Sequence, residues 1–453
     1  MRKLVLLSAA ALCASCSLNL REAQVELPQE YIYNYCWPCD EGEVSARWWE
    51  AFEDPCLNSL VELSMRQNHN LAAAMAAVNQ SRYYIKVARS TFLPSLEFDP
   101  TAELYHELKT EVHEYTVAPT ISWEISLFGE LRNTKRAAMA AMLQEEWNLR
   151  GVWLSLSAEV ATSYFTLLQY QRNLHIATRS YELRRTATAL VDSMYRYGMS
   201  NGTDLMQARS LVYSAQIEMQ KYERAVASTA LSLSTLVGEL PKPLDWRAKG
   251  SELIRNSLPV DLPVGLPSSL LERRPDVMKS YYAMVRAAAE VGVSRAERYP
   301  SITITGSGGI YATSLEGLTE GNPLYWSATG SLTQPIFSWG ALRRKELIER
   351  EKYEASCEEY EQTVLEALAE VEKALVTIST YSSQTAATTA LVVANARIAE
   401  NSSALYRSGL GDYLSVIDAE RELYASQVSL VEMVAQQYIN YIDLFKALGG
   451  GVD

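Results

Sequence analysis

By type and spacing, a handful of side chains in this sequence could do chemistry, and most of them fail on spacing. His106-Glu107 and His113-Glu114 set two imidazoles beside two carboxylates, the ingredients of a hydrolytic zinc site. Such a site needs two histidines one helical turn apart and a third ligand, and the spacing here gives neither. The pairs fall in the loop expected between two strands, so no metal is expected. Cys36-Trp37-Pro38-Cys39 is a CxxC, the spacing of a redox dithiol or of half a zinc tetrad. No βαβ pattern follows it and no second CxxC completes it, so a structural disulfide among Cys36, Cys39 and Cys56 is the expectation, with its connectivity open. Asn201-Gly202-Thr203 fits a glycosylation acceptor but reads more simply as a turn. Arg273, Arg274 and Asp276 gather charge at a helix entry in LPSSLLERRPDV and read as structural. Asp418 and Arg421 lie one helical turn apart, which by itself describes a solvated i,i+3 pair. There is no GxSxG, no Walker A and no strand-linked GxGxxG. Neither an enzyme nor a cofactor is indicated.

The N-terminus has a different kind of chemistry. MRKLVLLSAAALCASCS opens with Arg2 and Lys3, continues through an apolar stretch from Leu4 to Leu12, and ends in small residues before Cys16. That is the grammar of a secretory signal over residues 1–15, and its apolar stretch is too short to span a bilayer as a helix. Ala14-Ser15-Cys16 resembles the end of a bacterial lipobox, in which the cysteine is acylated, although Cys13 stands where Leu is commonest. One lipid attachment anchors reversibly, so a second membrane contact is to be sought. The formal net charge of −13 argues against nucleic acid as a partner.

The elements around these residues come in two copies. YRYGMSNGTDLMQAR (195–209) aligns without gaps on YRSGLGDYLSVIDAE (406–420) at a constant offset of 211, pairing Gly198 with Gly409. RSTFLPSLEF (89–98) pairs with RAERYPSITI (295–304), so the chain reads as a tandem duplication. Prolines 241, 243, 259, 263 and 267 mark a linker over 239–267. Each half predicts a helix (56–92, then 268–298), two strands, a long helix (130–197, then 340–408), a Gly-containing break and a last helix (203–237, then 414–446). The last helix has two adjacent apolar seams, one through Ile417, Tyr424, Val431, Tyr438 and Phe445, the other through Val416, Leu423, Leu430 and Leu444. Two seams suit a helix packed between two others.

The strands point to a membrane. Tyr115 to Leu127 alternates apolar residues with Thr, Ser and Glu, and the segments from Ser301 to Ile310 and from Trp326 to Ile336 do likewise. The segment at 95–105 is poorer, because Pro100 cannot donate to a ladder. Period-2 alternation over about ten residues flanked by Tyr and Trp matches transmembrane barrel strands. A barrel must close, since lipid leaves open edges unpaired. Four strands cannot close, so the chain must oligomerise; eight and twelve strands are both open on this argument.

EDPCLNSLVELSMRQNHNL (53–71), FLPSL (92–96), LFGELR (127–132), LPSSLLERRPDV (266–277), GDYLSVIDAER (411–421) and LFKALGGG (444–451) together resemble the TolC-like outer-membrane channel proteins, within them the lipoprotein efflux branch of OprM and NodT. The resemblance spans nearly the whole chain after the signal. It implies an α+β membrane protein: a homotrimer with one twelve-stranded outer-membrane barrel, four strands from each subunit, continued by a periplasmic helical barrel with an equatorial belt. It divides the chain into a lipidated wrapping segment (16–55), a first repeat (56–238, strands about 95–127), the linker (239–267), a second repeat (268–448, strands about 301–337) and a tail (449–453). Its implied role is the exit channel of a tripartite efflux system, lipid-anchored in the bacterial outer membrane, opened by a periplasmic adaptor and an inner-membrane pump of the RND type. A type I secretion channel is the alternative, and a peripheral coiled-coil scaffold the reading that lacks a barrel. The resemblance puts the breaks at 198–202 and 409–413 at the tip turns, built on Gly198, Gly202, Gly409 and Gly411, whose tolerance of positive φ suits them. It matches Thr203, Asp204 and Asp418 to an inner constriction, Leu414 to an apolar plug and Arg421 to a tip polar network. Ser415 departs from TolC itself, which has an acidic residue there.

Overall fold

The computed structural model describes residues 20–23, 25, 27–28, 31–33, 47–107, 110–241, 270–319 and 324–451. The signal segment, Cys16, the Cys36/Cys39 pair and most of the proline-rich linker lie outside them. The helices are α1 (Pro55–Gln67), α2 (His69–Ser90), α3 (Glu130–Arg196), α4 (Gly202–Val237), α5 (Leu270–Arg273), α6 (Pro275–Ala296), α7 (Ala341–Arg407) and α8 (Tyr413–Ala447). The strands are β1 (Ser95–Phe98), β2 (Thr101–Glu107), β3 (Thr110–Val117), β4 (Pro119–Ile125), β5 (Ser301–Ala312) and β6 (Leu324–Thr333). The long helices α3 and α7 each have 67 residues and start 211 positions apart. At the α-helical rise, each is about 100 Å long.

The residues form two compact units. One contains Met75–Trp147 and Asp276–Thr363 with the described part of Met1–Val25, and it carries the sheet. Six strand pieces amount to four runs. β1 and β2 pair with β4 and β3 in a single register, Ser95 opposite Ser122 through Glu107 opposite Thr110. β3 and β4 also share one register against β5, and β6 pairs with β5 on its other side. The breaks fall at Asp99-Pro100 and at Ala118, just ahead of Pro119; neither proline has the N–H a ladder needs. The weakness expected at Pro100 thus recurs at Pro119, inside the run read as continuous. The last run ends at Thr333 rather than Ile336, ahead of Pro335. His106-Glu107 and His113-Glu114 lie within β2 and β3 rather than in a loop, because their alternation extends the hairpin. Among the described residues no cluster suits a metal ion.

The register sorts the side chains by face. Leu96, Phe98, Ile121, Trp123, Ile302, Ile304, Trp326 and Leu332 share one face, while Glu97, Thr120, Ser307 and Ser327 line up across the other. On the polar face the Ser307 and Ser327 hydroxyls are 2.8 Å apart, and Tyr105 and Tyr311 both donate to Glu114. The apolar face is bare: Trp326 is 81 % exposed, Leu96 69 % and Leu332 68 %. Gly309 permits the close crossing at the proline break, since a Cβ there would lie 2.2 Å from the Val117 carbonyl oxygen. In the same unit Phe128 stacks on Tyr299 at 4.7 Å, and Glu346 of α7 takes hydrogen bonds from Arg298 and Arg350. Burial raises the Glu346 carboxyl, but the two guanidiniums outweigh it and hold it below its ordinary range.

The other unit contains Glu26–Ala74, Asn148–Pro275 and Val364–Asp453 in their described parts. Its core joins Trp48, Phe52, Leu57 and Leu60 to Phe165, Leu233, Tyr438, Ile442 and Phe445. Trp48 stacks on Phe445 at 5.3 Å and Phe165 on Tyr438 at 4.5 Å. Asp54 starts α1 by accepting from the Cys56 and Leu57 N–H groups, with Pro55 at the first helical position. Its other oxygen accepts the Tyr164 hydroxyl at 2.8 Å. The helix expected over 56–92 therefore breaks at Asn68, which ends α1 and caps α2. The helix expected over 268–298 breaks at Arg274, whose buried guanidinium bonds the Ala447 carbonyl at 3.0 Å and Glu370 at 2.7 Å. Cys56 is a free thiol at the start of α1, raised in pKa by burial, so the expected disulfide does not include it. Both apolar seams of α8 are used, and toward its end Ala435, Asn440 and Ile442 are buried as well, widening the stripe, while Asp443 and Lys446 stay exposed.

Candidate functional site

The site is built where the two long helices end. α3 closes on Gly198 at φ +75°, and α7 on Gly409 at φ +76°. Gly198 N–H bonds the Tyr195 carbonyl and Met199 N–H the Met194 carbonyl; Gly409 and Leu410 repeat this on Tyr406 and Leu405. This is a Schellman ending, which needs a residue in the left-handed region and so favours glycine. Next, Asn201 caps α4 by accepting from Asp204 N–H, and Asp412 caps α8 by accepting from Ser415 N–H, each at 2.8 Å. Ser415, through its hydroxyl first and then its N–H, holds the Asp412 carboxyl below its ordinary range. The duplication is thus reproduced bond by bond. Gly202 and Gly411 do not have positive φ. Gly202 occupies the first turn of α4, and Gly411 packs close to Leu405, so the expectation of left-handed backbone holds at only two of the four glycines.

A small apolar cluster binds the tips together. Val191 of α3, Leu205 and Ala208 of α4, and Tyr413, Val416 and Ile417 of α8 are all buried, with Tyr406 of α7 packed against them. Burial pushes the Tyr413 hydroxyl up to about 12. The remaining faces carry the residues singled out in the sequence. Thr203, Asp418 and Arg421 are exposed, Leu414 is 55 % exposed, and Asp204 is half-buried and accepts the Ser200 hydroxyl at 3.0 Å. Asp418 and Arg421 make no ion pair with each other among the described residues.

Several polar groups at the tip escaped the sequence reading. Asp192 of α3 pairs with Arg209 of α4 at 3.3 Å and with Arg196 at 2.7 Å, tying the first hairpin to itself. Arg184 of α3 is buried and lies 3.8 Å from Glu420 of α8. Burial lowers the Arg184 guanidinium and raises the Glu420 carboxyl despite their mutual attraction, so desolvation dominates this pair. Glu420 falls on the seam of Ile417 and Tyr424, where a carboxylate interrupts the apolar pattern. Nothing local marks Arg184 beside Arg185.

The sequence profile of the outer membrane efflux proteins matches residues 60–239 and 266–450. The chain belongs to the outer membrane efflux protein family. The toluene efflux pump outer membrane protein TtgF of Pseudomonas putida is 30% identical over 430 residues, covering 92% of this chain and 88% of that protein. The probable outer membrane lipoprotein SilC of Salmonella typhimurium is 28% identical over 445 residues, covering 97% of this chain and 96% of its own. The open-state structure of the MtrE outer membrane channel of Neisseria gonorrhoeae superimposes with a TM-score of 0.83 at 25% identity, covering 96% of this chain and 97% of that one. This outer membrane efflux protein has the TolC-like fold, works in efflux and resides in the outer membrane. No helix among its described residues is long and apolar enough to cross a membrane.

Proposed function

We propose that this outer membrane efflux protein is the passive exit duct of a tripartite pump, closed as a homotrimer and opened at its helical tips. The observation that carries the proposal is the unclosed sheet. Four runs leave two edges without a strand partner among the described residues, with a lipid-type face on one side and a Ser, Thr and Glu face on the other. Edges in lipid leave backbone groups unpaired at a cost of several kcal/mol each, so copies join edge to edge, and three copies make twelve strands around a wet lumen. A lumen lined by Ser, Thr and Glu passes cargo rather than selecting it; the toluene, solvent and antibiotic pumps named for the relatives fit such a permissive duct. A periplasmic adaptor and an RND-type inner-membrane pump supply selection and energy. Residues 16–55 wrap the assembly from a lipid anchor on Cys16, the repeats span 56–238 and 268–448 about the 239–267 linker, and 449–453 form a tail.

The gate of this duct is formed by Thr203, Asp204, Leu414, Asp418 and Arg421 at the tips, with the turns at 198–202 and 409–413 as its ends. The exposure of Thr203, Leu414, Asp418 and Arg421 within one chain supports this, since groups meant for the threefold axis have no partner until other copies arrive. Three Asp418 carboxylates brought together repel unless paired or hydrated, and Arg421 of α8 is the cation at hand. Leak conductance in planar bilayers tests the gate. Asp418→Ala and Leu414→Ala should each raise it well above that of the parent channel; no change in either variant rejects the assignment.

A further inference from the structure

We infer that Arg184 is a positioning residue for the gate: it ties the second hairpin, which carries Asp418 and Arg421, to the first. The inference rests on the duct reading above and adds a residue to it. The argument starts from the duplication. In the second repeat, Asn395 of α7 reaches across its hairpin and donates to the Glu422 carbonyl at 3.3 Å. In the first, Arg184 of α3 donates to the Leu211 carbonyl at 3.4 Å. At the offset of 211, position 184 corresponds to 395 and 211 to 422, so one side chain in each repeat performs the same cross-hairpin bond. Asparagine suffices for that bond. The first repeat uses a longer, charged group, and its guanidinium continues past the carbonyl to Glu420 and to within 5.9 Å of the Tyr424 ring centre, both on α8.

The two hairpins are otherwise unequally secured. Asp192 and Arg209 bridge α3 and α4, whereas the corresponding positions of α7 and α8 are Ser403 and Glu420. The residue that would repeat Arg209 is therefore the one Arg184 engages. The second hairpin lacks this internal ion pair and borrows its charge contact from the first. Glu420 lies between Asp418 and Arg421 in sequence, so holding it fixes the turn of α8 on which both gate residues stand. The tie is releasable. The nearest atoms are 3.8 Å apart, and the buried Arg184 Nε makes no hydrogen bond, which leaves the pair as an ion contact without the directional bond that would lock it.

Arg184→Asn separates the two roles, because it restores the asparagine that the second repeat uses and removes the reach to α8. Purified full-length channels of the parent, Arg184→Asn, Arg184→Lys, Glu420→Gln and the Arg184→Asn/Glu420→Gln pair are compared in planar bilayers. Leak should rise several-fold in Arg184→Asn, rise no further in the double variant, and stay near the parent in Arg184→Lys, with the oligomer's melting temperature unchanged throughout. Parent-like leak in Arg184→Asn overturns the inference, as does a double variant whose leak is the product of the two single effects. A parent protein that forms no pore rejects the duct reading instead, so the two failures are distinguishable. Should Arg184→Asn not fold, Glu420→Gln against the parent decides the same point, since losing the charged partner must raise leak.

Discussion

Two residues, Gly198 and Gly409, set the ends of the helical hairpins. Both are in the left-handed region with no atom near the position of a Cβ, so strain alone opposes replacement. Alanine at either should cost about 1–2 kcal/mol, read as a lower melting temperature of the helical signal. Gly202→Ala should cost nothing and gain up to about 1 kcal/mol, because Gly202 is helical and its nearest neighbour, Tyr195, leaves room at 3.8 Å. Equal losses at all three positions would reject the Schellman assignment. The repeated YRxG pattern made the break legible in the sequence, because glycine after a helical run is a local signal. The ordinary φ at Gly202 and Gly411 was not legible: both lie beyond the Schellman turns, Gly202 just inside the helix capped by Asn201 and Gly411 just before the cap Asp412. Arg184 was hidden for a related reason, since its partner lies in the other repeat and no periodicity links them.

Among the elements, the sheet was the most legible and yet the most revised. Alternation gave the faces correctly, because a side-chain period of two is all that a half-exposed run needs. The proline breaks leave the register intact, which alternation alone could not reveal, since register is set by pairing between runs. The two faces differ in what they tolerate. Ile304→Arg places a charge on the bare apolar face and should cost about 2–4 kcal/mol near the bilayer midplane, whereas Thr305→Arg, one residue along on the polar face, should assemble normally. Heat-modifiable oligomer in outer-membrane fractions is the readout, and equal assembly of both variants would contradict the facing. The α8 stripe was read from its heptads, but its widening to Ile442 reflects the aromatic cluster of Trp48 and Phe52. Those residues come from a short helical turn, Trp48–Phe52, that no periodicity announces.

For the whole molecule, the unpaired edges are the fact that demands other copies. Cysteines at Glu97 in β1 and at Ser331 in β6 stand on the polar face of the two outer runs and on opposite edges of the sheet. Oxidative cross-linking of such a double variant in membranes should give a ladder that stops at three chains; a ladder stopping at two, or running on, would reject the twelve-stranded closure. Oligomer number was illegible in the sequence because strand count per chain says only that closure is needed. A last consequence concerns the matched helices. With 67 residues in both α3 and α7, the same measure is written into the gene twice. A seven-residue deletion in one copy alone would offset its turn by about 10 Å and part Arg184 from Glu420, whereas the same deletion made in both would leave them facing. The duplication that doubled the hairpin thus made the length of each half a constraint on the other.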